Sequence, residues 1–122
     1  MVYNRSLIKS FGYSLEGVWH ALKNNRNLRI TFFLASIVIL VGLYFHVTSF
    51  EMVLLVIAIL LVILSEMINT AIEEMVNLIT FEHRKEAKIA KDVAAGMVLV
   101  AAVGSVIIGL LIFTPYILKL FK

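Results

Sequence analysis

Cysteine is absent from the 122 residues, proline occurs once and glycine six times. Without thiols there is no disulfide framework, no thiolate zinc site and no cysteine nucleophile. So little proline and glycine excludes a collagen-like or linker-rich chain, and no period of about 20–50 residues marks a repeat array. Charge is scarce as well: 16% of residues are charged against 61% hydrophobic, with a mean hydropathy of +1.00. A soluble domain carries about 25% charged and about 45–50% apolar residues, so the solvent for this chain is lipid. The length allows one small domain, 1–122.

The net charge of +3 leaves nucleic acid open as a partner until the charges are placed. Residues 1–29 hold Arg5, Lys9, Lys23, Arg26 and Arg29 against Glu16, interleaved with Leu7, Ile8, Phe11, Leu15, Val18, Trp19 and Leu22 at helical spacing. That pattern predicts an amphipathic surface helix over 1–29, with Trp19 and Tyr13 at headgroup depth; packing on the domain's own core is the alternative.

Three spans follow. Residues 30–45 run ITFFLASIVILVGLYF without a charge, too late in the chain for a secretory signal and lacking a cleavage site. After the polar break HVTSFE, helical patterning over 51–79 gives a helix about 43 Å long. The polar stretch TFEHRKEAKIAKD at 80–92 reads as a loop, and 93–113 is again uncharged, a span that Pro115 stops and Tyr116 with two lysines anchors. Helices are thus expected over about 30–46, 51–79 and 93–113. Basic residues number five before the first span, four in 80–92, none in 46–51 and two in the tail. The amino terminus and the 80–92 loop are therefore expected in the cytoplasm. The basic charge serves orientation and anionic headgroups, which removes the support for nucleic-acid binding. Small residues Ala101, Ser105 and Gly109, with Gly104 beside them, suit close helix approach, and so thin a bundle predicts a homo-oligomer.

The residues lipid ought to exclude are the informative ones. Glu66, Asn69, Thr70, Glu73 and Asn77 fall within about 100° of one helix face. A carboxylate inside a membrane marks a functional site by default. The alternative gives Glu66 and Glu73 to interfacial pairing with Lys91 or the loop arginines. Glu66 and Glu73 lie about 10 Å apart along the axis, too far to share one metal ion. Glu73, nearer the cytoplasm, is suited to Mg²⁺, and the deeper Glu66 to something arriving from the bilayer. Lys91 offers a cation for phosphate, and Asp92 a carboxylate for the metal or for Lys91. This set suits phosphoryl transfer from a soluble nucleotide to a lipid hydroxyl. No soluble nucleotide-binding motif is present, and His20, His46 and His83 sit in three different segments, unsuited to a Ser-His-Asp triad or a metal site.

These residues resemble the small integral-membrane prokaryotic diacylglycerol kinase and undecaprenol kinase family: GYSLEG in the surface helix, EMINTAIE at 66–73 and AKDVAAG at 90–96. The resemblance covers nearly the whole chain and implies an all-α, three-span homotrimer of the bacterial inner or plasma membrane. It would use Mg-ATP to phosphorylate a lipid alcohol, diacylglycerol or undecaprenol, at the cytoplasmic face. It assigns Glu66 as catalytic base at the lipid substrate, Asn69 as the residue orienting the reacting groups, and Glu73 as a metal ligand at the nucleotide. Lys91 and Asp92 would contact ATP phosphates, Tyr13 the nucleotide, and the turn of Glu82, His83 and Arg84 would approach it. Two positions depart from the family. Asn25 stands where a second metal-binding glutamate is usual, still able to ligate Mg²⁺ with less charge, and Asn77 where aspartate is usual. They favour, as the alternative, a weakened or inactive relative acting as a non-enzymatic membrane protein. A small transporter would need inverted repeats or broken helices, which the sequence lacks.

Overall fold

Ser6, Asn25 and Thr48 each offer a side-chain oxygen to a backbone N–H three residues on, and a helix begins at each. The computed structural model describes residues 6–122; Arg5, counted above among the basic residues, lies outside them. Four helices result: α1 (Leu7–Asn24), α2 (Arg26–Tyr44), α3 (Ser49–Ile79) and α4 (Lys85–Leu120). The last three are long and apolar enough to cross a membrane.

The surface helix is shorter than expected, because the helical run breaks at Asn25, whose φ of −115° and ψ of 104° are extended. Arg26 and Arg29 therefore open α2 instead of closing α1. Arg29 folds back to donate to the Leu22 and Lys23 carbonyls, both at 2.8 Å, satisfying the end of α1. Of α1 only Ala21 is buried, while Phe11, Leu15 and Trp19 stay largely exposed. This chain does not cover the apolar face of α1, as an interfacial helix requires.

At the other end of α2 the chain turns tightly. His46 takes a φ of 54°, and the N–H groups of His46 and Val47 return to Leu43 and Gly42. That is a Schellman closure, with histidine in the left-handed position usually given to glycine. Gly42 sits where α2 meets α3, and a Cβ there would lie 3.0 Å from the Met52 methyl, so that the flexible end of Met52 would have to shift slightly. Thr48 and Glu51 then cap α3 reciprocally, at 3.1 and 2.9 Å.

α4 differs from the expectation at both ends. The polar 80–92 stretch is a loop only through Arg84, because KEAKIAKD is itself helical and joins Lys88 to Asp92 across one turn. At the far end Pro115 lies inside the helix, which continues to Leu120. Proline removes one backbone donor, yet the turn beyond it is held from outside. Tyr116 donates its hydroxyl to Glu51 on α3 and packs its ring near Phe45, and Lys119 stands over the same ring.

The core is thin: Leu28, Leu55, Ala58, Ala94 and Ile112 are buried, together with Ser65 and Glu66. Ser105 ties α4 to α3 by donating to the Ala58 carbonyl at 3.1 Å. A Cβ added at Gly104 or Gly109 would meet no neighbouring element within 4 Å, so the small-residue stripe is only partly used within one chain. Removing the hydroxyl that holds the proline-containing turn, Tyr116→Phe, is expected to lower the thermal unfolding midpoint in detergent by a few degrees. An unchanged midpoint would show that the Glu51 bond contributes nothing there.

Candidate active site

Burying a carboxylate away from water is costly unless hydrogen bonds compensate. Glu66 is 4% exposed, where the long apolar run of α3 gives way to its polar stripe. Its partner comes from 41 residues away, where the Asn25 amide donates to Glu66 Oε2 at 3.2 Å and to Thr70 Oγ1 at 2.8 Å. Thr70 in turn donates to the Glu66 backbone carbonyl at 3.1 Å. Asn25 Oδ1 faces the other way and accepts from Leu28 N at 3.0 Å, capping α2. Two independent neighbours thus fix the sense of this carboxamide: a backbone donor needs its oxygen and a carboxylate needs its N–H. Glu66 Oε1 receives no hydrogen bond among the described residues, yet it is not sealed in, since the buried side-chain atom left without a partner is Asn69 Oδ1.

One turn on, Asn69 Nδ2 reaches Glu73 Oε1 at a long 3.4 Å, which leaves Asn69 Oδ1 buried and unpartnered. Glu73 itself is exposed. No three His, Cys, Asp or Glu side chains gather into a metal cluster among the described residues. Magnesium seldom needs one: it takes oxygen ligands, uses one or two carboxylates and completes its shell with water and substrate phosphates. An accessible carboxylate beside an orphaned amide oxygen fits that demand. Neither Glu66 nor Glu73 is ion-paired to Lys91 or to a loop arginine, so the polar stripe is not a row of interfacial salt bridges.

Beyond Glu73 the stripe meets α4. Asn77 Oδ1 accepts from Lys91 Nζ at 2.8 Å, and Lys88 pairs with Asp92 at 2.6 Å. Of the two uses open for Asp92, the pairing with Lys91 is not formed. Adjacent helical positions point about 100° apart, whereas 88 and 92 share a face. Around the start of α4 lies an open hollow of about 430 Å³ lined by Glu82, His83, Arg84, Lys88, Lys91 and Asp92, among others. Its size is that of a small-molecule site. Arg84 is held by Glu82 at 3.1 Å, while Lys91 and Lys88 bring positive charge to the first two turns of the helix.

The structure thus gathers five of the seven residues expected at the nucleotide around one hollow. Glu73 does not line it, and Tyr13, on α1, does not either. Two connections were not foreseen. Asn25 and Asn77, read from sequence as lost charges, are both engaged, one as donor to Glu66 and one as acceptor from Lys91. The break at Asn25 was missed although asparagine favours helix starts, and its contact with Glu66 has no local signal. His20 on α1 also faces Glu74 on α3 at 3.8 Å, an exposed pair that joins the surface helix to the site helix.

The chain is similar to known proteins. The family model for prokaryotic diacylglycerol kinase matches residues 12–113. An undecaprenol kinase of Bacillus subtilis is 41% identical over 107 residues, covering 88% of this chain and 87% of its own length. A diacylglycerol kinase of Synechocystis is 39% identical over 116 residues, 94% of this chain and 66% of that protein. One from Haemophilus influenzae is 37% identical over 109 residues, 88% and 92% respectively. The chain belongs to the prokaryotic diacylglycerol kinase family.

Proposed function

We propose that this protein is a membrane lipid kinase that transfers the γ-phosphoryl group of ATP to the hydroxyl of diacylglycerol or undecaprenol at the cytoplasmic face of a bacterial membrane. The observation that carries this reading is Glu66: a carboxylate buried on a membrane-spanning helix, with one oxygen tethered and the other untethered. Relatives named for the two lipids support the substrate class.

Glu66 Oε1 accepts the proton of the lipid hydroxyl as that oxygen bonds to the γ-phosphorus; the bond from phosphorus to the bridging oxygen breaks, and ADP leaves. Asn69 orients the attacking group from the neighbouring turn. Glu73 and Asn69 Oδ1 would hold Mg²⁺, which supplies neutralisation of phosphate charge when bound with ATP. Asn25, the other residue expected at the cation, already has one lone pair of its oxygen engaged by Leu28 N, and its amide faces Glu66. Lys91 and Asp92, with Glu82, His83 and Arg84 around the hollow and Tyr13 on the surface helix, make the nucleotide side. Three copies would build the complete bundle, with the open faces at Gly104 and Gly109 available for packing, and with the amino terminus and the loop before α4 in the cytoplasm.

A second reading, a relative without activity, draws on Asn25 and Asn77. Kinetics with purified protein in lipid nanodiscs separate the two. Glu66→Gln is expected to lower kcat by about 10²–10⁴ while the helical content stays the same; a rate near wild type would remove Glu66 as the base. Glu73→Gln is expected to raise the half-saturating Mg²⁺ concentration several-fold with a smaller change in the KM for lipid. An unchanged Mg²⁺ requirement would place the cation elsewhere.

A further inference from the structure

We infer that Asn25 is a positioning residue for Glu66 in this chain and not a ligand of the metal ion. The inference rests on the lipid-kinase reading for its kinetic consequence, but the contact itself stands on geometry. Asn25 is the one residue between α1 and α2, and it serves three helices at once. Its backbone N–H closes α1 on the Ala21 carbonyl at 2.8 Å, its Oδ1 starts α2 at Leu28 N, and its amide donates to Glu66 Oε2 and Thr70 Oγ1 on α3. A side chain held at both ends of its carboxamide cannot turn without losing a cap on one side or uncovering a buried carboxylate on the other. The oxygen, its only atom able to bind a cation, is directed to the backbone of α2.

The consequence is orientational. A carboxylate has two oxygens, and a base in an apolar helix reaches its substrate with only one of them. By engaging Oε2, Asn25 leaves Oε1 as the oxygen presented to the lipid hydroxyl, and it does so from the joint that sets where the surface helix leaves the bundle. Thr70 completes the arrangement, accepting from Asn25 and donating one turn back to the Glu66 carbonyl. The placement of α1 and the aim of the base are therefore coupled through one side chain.

Asn25→Ser separates these roles, because serine caps a helix about as well as asparagine but is too short to reach Glu66. With the full chain in nanodiscs, this variant is expected to keep its thermal midpoint within a few degrees, to lose about 10–100-fold in kcat, and to keep the KM for ATP and the half-saturating Mg²⁺ concentration. Thr70→Val is expected to show a smaller loss of the same kind. Mn²⁺ binding followed by electron paramagnetic resonance without nucleotide or lipid should be unchanged by Asn25→Ser and weakened by Glu73→Gln. A weaker Mn²⁺ signal in Asn25→Ser, or a wild-type kcat, overturns the inference. An arm independent of turnover follows the Asn25 side-chain amide resonances in ¹⁵N-asparagine-labelled protein. Glu66→Ala should move them, and unmoved resonances would overturn the contact even if the protein proved to have no kinase activity.

Discussion

A carboxylate placed where the surroundings are hydrocarbon has to be partnered, and the way this chain partners Glu66 organises the rest of the molecule. The side-chain donor to Glu66 comes from the joint between α1 and α2. For Asn25 to arrive there, the helical run that begins near the amino terminus has to break after Asn24, and α2 has to start at once with Leu28 buried against the bundle. The surface helix is thereby directed over the polar face of α3, where His20 meets Glu74. One desolvated group thus constrains where a helix ends, where the next begins and which face of a third is covered.

The opposite end of the molecule is fixed by different means. There the chain uses a left-handed histidine, a reciprocal cap at Thr48 and Glu51, and the Tyr116 hydroxyl, gathered within one turn of α2, α3 and α4. None of these groups lies near Glu66 or the hollow at the start of α4. The division suits an enzyme that works on one side of a membrane. The groups around the hollow, which the proposed function gives to the nucleotide, are half-buried to exposed at one end, while the other end is closed by the bonds of Thr48, Glu51 and Tyr116.

Much of this was legible in the sequence, for a physical reason. Uncharged runs of fourteen to twenty-six residues have few structural outcomes, so the three spans could be read directly, and acids that follow such a run on the same helix identify themselves. What escaped was governed by contacts between distant residues. Pro115 reads locally as a stop, but Tyr116 beyond it finds Glu51 and the helix continues. The stretch 80–92 reads as a loop because it is polar, though polarity in KEAKIAKD is that of a solvated helix. Thr48 with Glu51 three residues on was a visible capping signal that the polar break concealed. Asn25 was the instructive case: the resemblance read from the sequence implies a missing charge there, and the fold shows it as a hydrogen-bond donor to Glu66.

The central claim is that Glu66 and its surroundings serve the phosphorylation of a lipid alcohol. The most direct measurement incubates the purified wild-type chain in nanodiscs with Mg²⁺ and ATP labelled at the γ-phosphate, with diacylglycerol or undecaprenol in the bilayer, and follows the label into the organic phase. Lipid-dependent transfer to at least one of the two is expected, with ADP released in equal amount. Folded protein that hydrolyses or binds ATP but moves no label into either lipid would contradict it.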